Sequence, residues 1–240
     1  MPRFPIKQEK IKDNQVNISG SDYRHIVKVL RLKTGSEITL FDESSVEHFG
    51  RITEIKTKEI KVVIIGTKYV ERESKLNITL LQGIPKGEKM DFIVEKATEL
   101  GVKNIAPVIT ARSHVIHTQK IKRWKWIALE SSKQCGRFAP PHINEALNFD
   151  QAINYNYNSM LKIILYEKCQ DNFKTKFSNY LQPIHNMIIF VGPEGGFSKD
   201  EVKFAGDKGF ISMGLGPRIL RTETAGIVAI SILQFLYGDI

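Results

Sequence analysis

Two glycine-rich segments in the C-terminal half carry residue types that can hold a ligand through main-chain groups. In Val191-Gly192-Pro193-Glu194-Gly195-Gly196-Phe197-Ser198-Lys199-Asp200-Glu201 an apolar run meets a glycine turn and then a helix start. Glycine lets backbone approach a ligand closely, and open α/β sheets bind ligands at the C-terminal edge of their strands. Ser198 with Glu201 predicts a capping box, and Phe197 with Val202 a hydrophobic staple. The second segment, Leu215-Gly216-Pro217-Arg218-Ile219-Leu220-Arg221-Thr222-Glu223-Thr224-Ala225, also follows an apolar stretch and precedes a helix. Thr222 is its predicted N-cap, with Glu223 favourably placed in the first turn. Either loop alone fits an ordinary tight connection. Two of them in one sheet predict a shared pocket. Phosphate cradling is the rival, but no Lys-Ser/Thr follows in Walker spacing and there is no Gly-x-Gly-x-x-Gly.

The chain has 240 residues and a formal net charge of +9. The stretch 112–137 concentrates that charge: Arg112, Lys120, Lys122, Arg123, Lys125, Lys133 and Arg137 face only Glu130, a net of +6. Such a field favours a polyanion, because neutralised phosphates release counterions. The bland alternative is a solvated lysine-rich helix face. Trp124 and Trp126 in this stretch cannot share a helix face, so at most one stacks on a base and the other is core. His114 and His117 have no third ligand spaced to complete a metal site, and no metal is expected. Two cysteines, Cys135 and Cys169, cannot build a disulfide framework.

The elements that must position these loops are predicted next. Strands at 38–41, 49–55 and 60–65, with one helix from Ser21-Asp22 presenting Ile26, Val27 and Leu30 on one face, suggest a small barrel. Glu71-Arg72-Glu73-Ser74-Lys75 is a charged, apolar-free junction, and the domains are expected as 1–72 and 73–240. Beyond it the rhythm becomes strand and helix in alternation. A strand at 78–81 precedes a helix with Met90, Ile93, Val94, Ala97 and Leu100 on one face, closed by Gly101 at C′. The next strand, 105–109, contains Pro107 and is therefore expected at an edge or a strand end. A basic helix around 119–135, strands at 162–166, 187–191 and 211–213, and an apolar helix ending near Tyr237 complete an α/β fold with a mostly parallel sheet. The Asn154–Asn158 segment reads as a polar loop. The longest apolar run, Gly226–Tyr237, is too short to span a bilayer, and the N-terminus lacks an apolar signal core. The expectation is a cytoplasmic protein with no membrane partner.

The two glycine segments resemble the signature of the bacterial 16S ribosomal RNA uridine N3-methyltransferases, of the trefoil-knotted SPOUT class. The likeness runs nearly end to end. Met1-Pro2-Arg3-Phe4 and His25–Gly35 resemble the N-terminal PUA-like RNA-binding domain of that family. Lys86–Asp91, Lys96–Val102 and Gln134-Cys135-Gly136-Arg137 resemble motifs of its catalytic domain. The resemblance implies a PUA-like β-barrel followed by a SPOUT domain with a trefoil knot, acting as a homodimer on 16S rRNA of the small ribosomal subunit. It implies S-adenosylmethionine as cofactor, held by Leu165, by Gly192, Pro193, Glu194, Gly195 and Gly196, and by Leu215, Gly216, Ile219, Leu220, Arg221, Glu223 and Thr224. For the RNA, the candidates are Arg3, Arg24, Arg31, Lys33, Lys86 and Lys133.

Uridine N3 is an imide nitrogen that must lose its proton before attacking a sulfonium methyl, and the charge then spreads to O2 and O4. Positioned cationic donors there lower the barrier. Arg112 and Arg137 are the candidates for that catalytic role, and a phosphate clamp is the alternative for each. Glu130, Glu194 and Glu223 are possible proton acceptors, with capping or ion pairing the simpler role of Glu223. The competing readings are a non-catalytic RNA-binding or ribosome-assembly protein on the same fold, and a nucleotide hydrolase disfavoured by its missing Walker residues.

Overall fold

The computed structural model describes residues 1–42, 44–114, 118–155, 161–171, 173 and 184–240. These divide into two compact units, Met1–Glu73 with Ser132–Ala139, and Ser74–Ser131 with Pro140–Ile240.

The first unit is built on a five-stranded mixed sheet. Its strands are β1 (Arg3–Pro5), β2 (Gln15–Ser19), β3 (Glu37–Phe41), β4 (Val46–Ile55) and β5 (Glu59–Tyr69). The order is β1-β3-β4-β5-β2, with β1 parallel to β3 and the other pairs antiparallel. β1 and β2 stand at the two ends, so the sheet is a half-barrel around Phe4, Val16, Ile26, Ile38, Leu40, Ile52 and Ile60. The helix expected from Ser21 changes pitch. After α1 (Gly20–Arg24) the turn widens at His25–Val29, where Leu30 N–H donates to His25 O at 2.9 Å. Widening rotates later residues off the helical spacing: Ile26 is buried, but Val29 and Leu30 are exposed.

The second unit holds an all-parallel sheet. It comprises β6 (Asn77–Gly83), β7 (Asn104–Ile109), β8 (His142–Ile143), β9 (Leu147–Asn148), β10 (Leu161–Leu165), β11 (Asn186–Val191) and β12 (Ile211–Met213). The order is β12-β10-β11-β6-β7-β8, with β9 also on β7. The strands are apolar on both faces and are covered on both, as parallel sheets require. Period-two alternation sorts them. Ile78, Leu80, Met187, Ile189 and Ile163 join one core with α2 (Lys89–Glu99), α3 (Ile121–Cys135) and a long C-terminal helix. Leu81, Ile188, Phe190 and Ile164 join the other with α4 (Phe149–Asn154) and Phe197, Ala205 and Phe210. Pro107 lies inside the sheet, not at its edge. Its outer neighbours β8 and β9 pair with Asn104–Ile105 and Val108–Ile109, leaving the residue without an N–H opposite the gap between them.

After β11 the chain forms α5 (Lys199–Asp207), returns as β12 and ends in α6 (Thr222–Tyr237). Buried Gln234 fastens the far end of α6: its Nε2 donates to Leu100 O at 2.8 Å, and its Oε1 accepts from Ser74 Oγ at 2.7 Å. α6 also carries the exposed side chains Phe235 and Leu236. No helix among the described residues is long and apolar enough to cross a membrane.

Candidate active site

A cavity of about 710 Å³ opens at the C-terminal ends of β10, β11 and β12. Its size suits a small-molecule ligand. The 192–196 turn and the 215–221 loop both line it, together with Leu165, Tyr166 and Glu167 from the end of β10, Met213 and Gly214 from β12, and Lys89, Thr222 and Ala225. Most residues expected to hold the cofactor thus come together: Leu165, Gly192, Pro193, Glu194, Gly195, Gly196, Leu215, Gly216, Ile219, Leu220 and Arg221 all line it. Glu223 and Thr224 stand in the first turn of α6, outside the lining. Tyr166, Glu167, Arg218 and Thr222 line it without having been expected as ligand contacts. For Tyr166 and Glu167 the signal was present, since they follow an apolar strand as the two glycine loops do.

The first loop is tightly packed. A Cβ at Gly83 would stand 2.6 Å from Pro193 Cδ, and one at Gly192 would stand 3.2 Å from Gly196 and from the Phe197 ring. Ser198 and Glu201 form the predicted capping box at the start of α5. Glu201 reaches further, accepting from Ala111 N–H at 2.8 Å, and this anchors the segment that carries Arg112. Arg112 Nη1 donates to Gly195 O at 2.8 Å, while its Cβ stands 3.1 Å from where a Gly195 Cβ would be. Glu194 accepts from Lys89 Nζ at 2.7 Å and from Lys86 N–H at 3.1 Å. Partial burial alone would raise the Glu194 carboxyl, but the Lys89 ammonium and the N–H donors outweigh it and hold it below the ordinary carboxylate range. Glu223 Oε2 is buried without a hydrogen-bond partner among the described residues, with Lys89 Nζ 4.0 Å away.

Thr222, expected as a capping residue, is instead the first residue of α6, with Arg221 at the N-cap making no side-chain cap. Its hydroxyl turns inward, donating to Gly192 O at 2.6 Å and accepting from Gln82 Nε2 at 3.0 Å.

Arg137 belongs to the first unit. Its side chain is 6% exposed, and its Nε and Nη2 donate to the two carboxylate oxygens of Glu73 at 3.2 and 2.9 Å. Arg3 is also turned inward there: Nη2 donates to Glu47 at 2.9 Å, and the guanidinium lies over the rings of Phe41 and Phe138. Burial lowers the Arg3 pKa against the opposing pull of Glu47. Lys133 Nζ stands 3.5 Å from Asp22. Arg24, Arg31 and Lys33 are exposed and form no ion pair among the described residues, and Lys86 is exposed at the start of the α2 region. Trp124 is buried, donating to Asp91 at 3.0 Å, and Trp126 is 60% exposed, so the two tryptophans divide as their spacing requires. Of the histidine pair, His114 is described and His117 lies outside the described residues. Part of the 154–158 segment does too.

The parallel sheet with two glycine loops at its strand ends, and the small mixed sheet encoded before it, define an RNA methyltransferase with a PUA module. Comparison with known proteins agrees. The RNA methyltransferase domain matches residues 72–234 and the RNA methyltransferase PUA domain residues 18–65. Ribosomal RNA small subunit methyltransferase E of Buchnera aphidicola (from Acyrthosiphon pisum) is 36% identical over all of this chain and 95% of its own. The Bacillus subtilis protein of that name is 29% identical, covering 97% of this chain and 96% of its own. The crystal structure of the Neisseria gonorrhoeae protein of that name, bound to S-adenosyl methionine, superposes with a TM-score of 0.90 at 33% identity, covering 100% of this chain and 99% of that one. The chain belongs to the RNA methyltransferase family represented by ribosomal RNA small subunit methyltransferase E.

Proposed function

We propose that the protein methylates N3 of one uridine in the 16S RNA of the small ribosomal subunit, using S-adenosylmethionine. The observation that carries this reading is the cavity walled by both glycine loops at the C-terminal ends of parallel strands. Its walls suit the cofactor's mixed chemistry: Leu165, Met213, Ile219 and Leu220 offer apolar surface to an adenine, and Glu167 offers a carboxylate to a cationic group. S-adenosylmethionine supplies, when bound, a methyl group on a sulfonium.

The remaining work falls to this chain. Arg112, tied to Gly195 O beside the cavity, is the donor for the charge that develops on O2 and O4 of the uridine. Arg137 is neutralised by Glu73, and its role is to hold the 132–139 segment within the first unit. Glu194 is a weak base, because Lys89 holds its carboxylate ionised. Arg24, Arg31 and Lys33, exposed and unpaired by ions among the described residues, grip RNA phosphates, as does Lys86. We assign Arg3 and Lys133 to internal contacts first, since both already face carboxylates.

The trefoil crossing is proposed within 166–222. There Gly214 N–H donates to Asp171 O at 2.7 Å, and a Cβ at Gly214 would stand 2.6 Å from Cys169 O, so two passes of chain touch backbone to backbone. A homodimer is proposed from the exposed Phe235 and Leu236 of α6, which a monomer leaves in water, and a cytoplasmic setting from the proposed ribosomal RNA substrate. Mass-spectrometric mapping of small-subunit RNA from a strain lacking the protein tests the reaction: one uridine should lose a methyl and regain it on complementation. Unchanged RNA would leave the non-catalytic assembly protein in its place.

A further inference from the structure

Thr222, Gln82 and Gly192 come from three separated places in the chain: the first turn of α6, the end of β6 and the residue after β11. All three are buried, Gln82 completely. Their hydrogen bonds run one way. Thr222 Oγ spends its only hydrogen on Gly192 O, so it can only accept from Gln82, and the Gln82 amide must present Nε2 to it. The same Nε2 donates its second hydrogen to Gly83 O at 3.0 Å. That orientation leaves Gln82 Oε1 buried without a hydrogen-bond partner among the described residues, 3.6 Å from where a Gly226 Cβ would stand. An orphaned acceptor in a fully buried side chain costs stability, and its persistence calls for a reason other than packing. An apolar pair of the same shape would fill this space without the orphan.

We propose that the Gln82–Thr222 relay is a positioning device for the cofactor: it fixes the Gly192 carbonyl, and with it the spacing of the two glycine loops. Thr222 directly follows the 215–221 loop, and its hydroxyl holds the first residue of the 192–196 turn, so one bond ties together the two loops that line the cavity. The close approach of Gly83 to Pro193 leaves the turn no other seat, and the relay sets its orientation on that seat. Thr222 and Gln82 act through Gly192 and not on the transferred methyl. Their loss therefore falls on affinity for S-adenosylmethionine, and on its KM, more than on kcat. This rests on the cofactor reading above.

The test is calorimetric binding of S-adenosylmethionine and of S-adenosylhomocysteine to the full chain, with Tm recorded without ligand. Thr222→Val, which keeps the shape and removes the hydroxyl, is expected to weaken both ligands by about tenfold, the size of one lost buried hydrogen bond. Thr222→Ser, which restores the hydroxyl, should bind within about twofold of wild type on the same reasoning. Gln82→Met should weaken binding in the same sense, and the double variant Gln82→Met/Thr222→Val should lose no more than the worse single one, since both work through one carbonyl. Wild-type affinity in a folded Thr222→Val protein, or losses that multiply in the double variant, would overturn the relay. Should Thr222→Val not fold, Thr222→Ser against Gln82→Met decides, with equal affinities counting against it. If wild-type protein itself does not bind S-adenosylmethionine, it is the cofactor assignment that fails.

Discussion

Gly192 and Pro193 are buried, and the turn they begin is held by Thr222 on Gly192 O, by Arg112 on Gly195 O and by Lys89 and Lys86 on Glu194. In the other loop lining the cavity, residues 216–219 are exposed and carry no side-chain hydrogen bond among the described residues; Ile219 is 84% exposed. Gly216, at φ +99, has nothing within 4 Å of where its Cβ would be. Both loops share a strand–glycine–helix order, yet one is clamped and the other open. The difference teaches how such a pocket divides its work. A rigid wall presents main-chain groups in a fixed array and loses little entropy on binding, whereas the open wall has apolar surface to bury once a ligand lies against it.

Removing a clamp gives the largest effect expected. Arg112→Met frees Gly195 O and takes the cation from the mouth of the cavity, and single-turnover methyl transfer at saturating RNA should fall about 100-fold. A rate restored by excess RNA would make Arg112 a phosphate contact. Next comes the packing of the clamped wall. Gly83→Ala forces a methyl into Pro193 and should destabilise the fold by about 2 kcal/mol, read by denaturant unfolding. Gly216→Ala meets no atom, and its positive φ alone should cost about 1 kcal/mol. Equal losses at the two glycines would erase the contrast between the loops. Ile219→Ala should leave the stability of the free protein unchanged within about 0.5 kcal/mol and still weaken S-adenosylmethionine binding. Glu194→Gln should be the mildest. The Glu194 pKa is lowered, so its contribution is present above the ordinary carboxylate value, about 4.3, and disappears as pH falls through the folded value. The Tm difference between wild type and variant should accordingly shrink on acidification below about pH 4. A difference that grows instead would mean Glu194 is not held ionised by Lys89.

Much of this architecture was legible along the chain because it is local. The alternation of apolar strands with periodic helices, the capping box at Ser198 and Glu201, and the C′ glycine at 101 each need only a few neighbouring residues. The errors lie where a distant partner decides. Thr222 reads as a cap until Gln82, 140 residues earlier, claims its hydroxyl. Arg137 reads as a candidate donor to the uridine or to a phosphate, and only the fold shows its ion pair with Glu73, 64 residues earlier. Leu30 leaves the core because the turn at His25–Val29 widens, and Pro107 sits within the sheet because its outer neighbour is split in two. Neither event has a pattern within reach of a short window.

α6 is locked at both ends, by Thr222 on Gly192 and by Gln234 on Leu100 and Ser74. It comes after every described strand of its sheet in chain order, whereas Ser74 and β6 come first in that unit. The unit therefore cannot close before α6 is in place. Until α6 docks, the core that it covers with Ala229, Ile230 and Leu233 faces water, and contacts of long sequence separation form slowly. A chain cut before residue 222 would hold every described strand of the sheet and lack the helix that closes it.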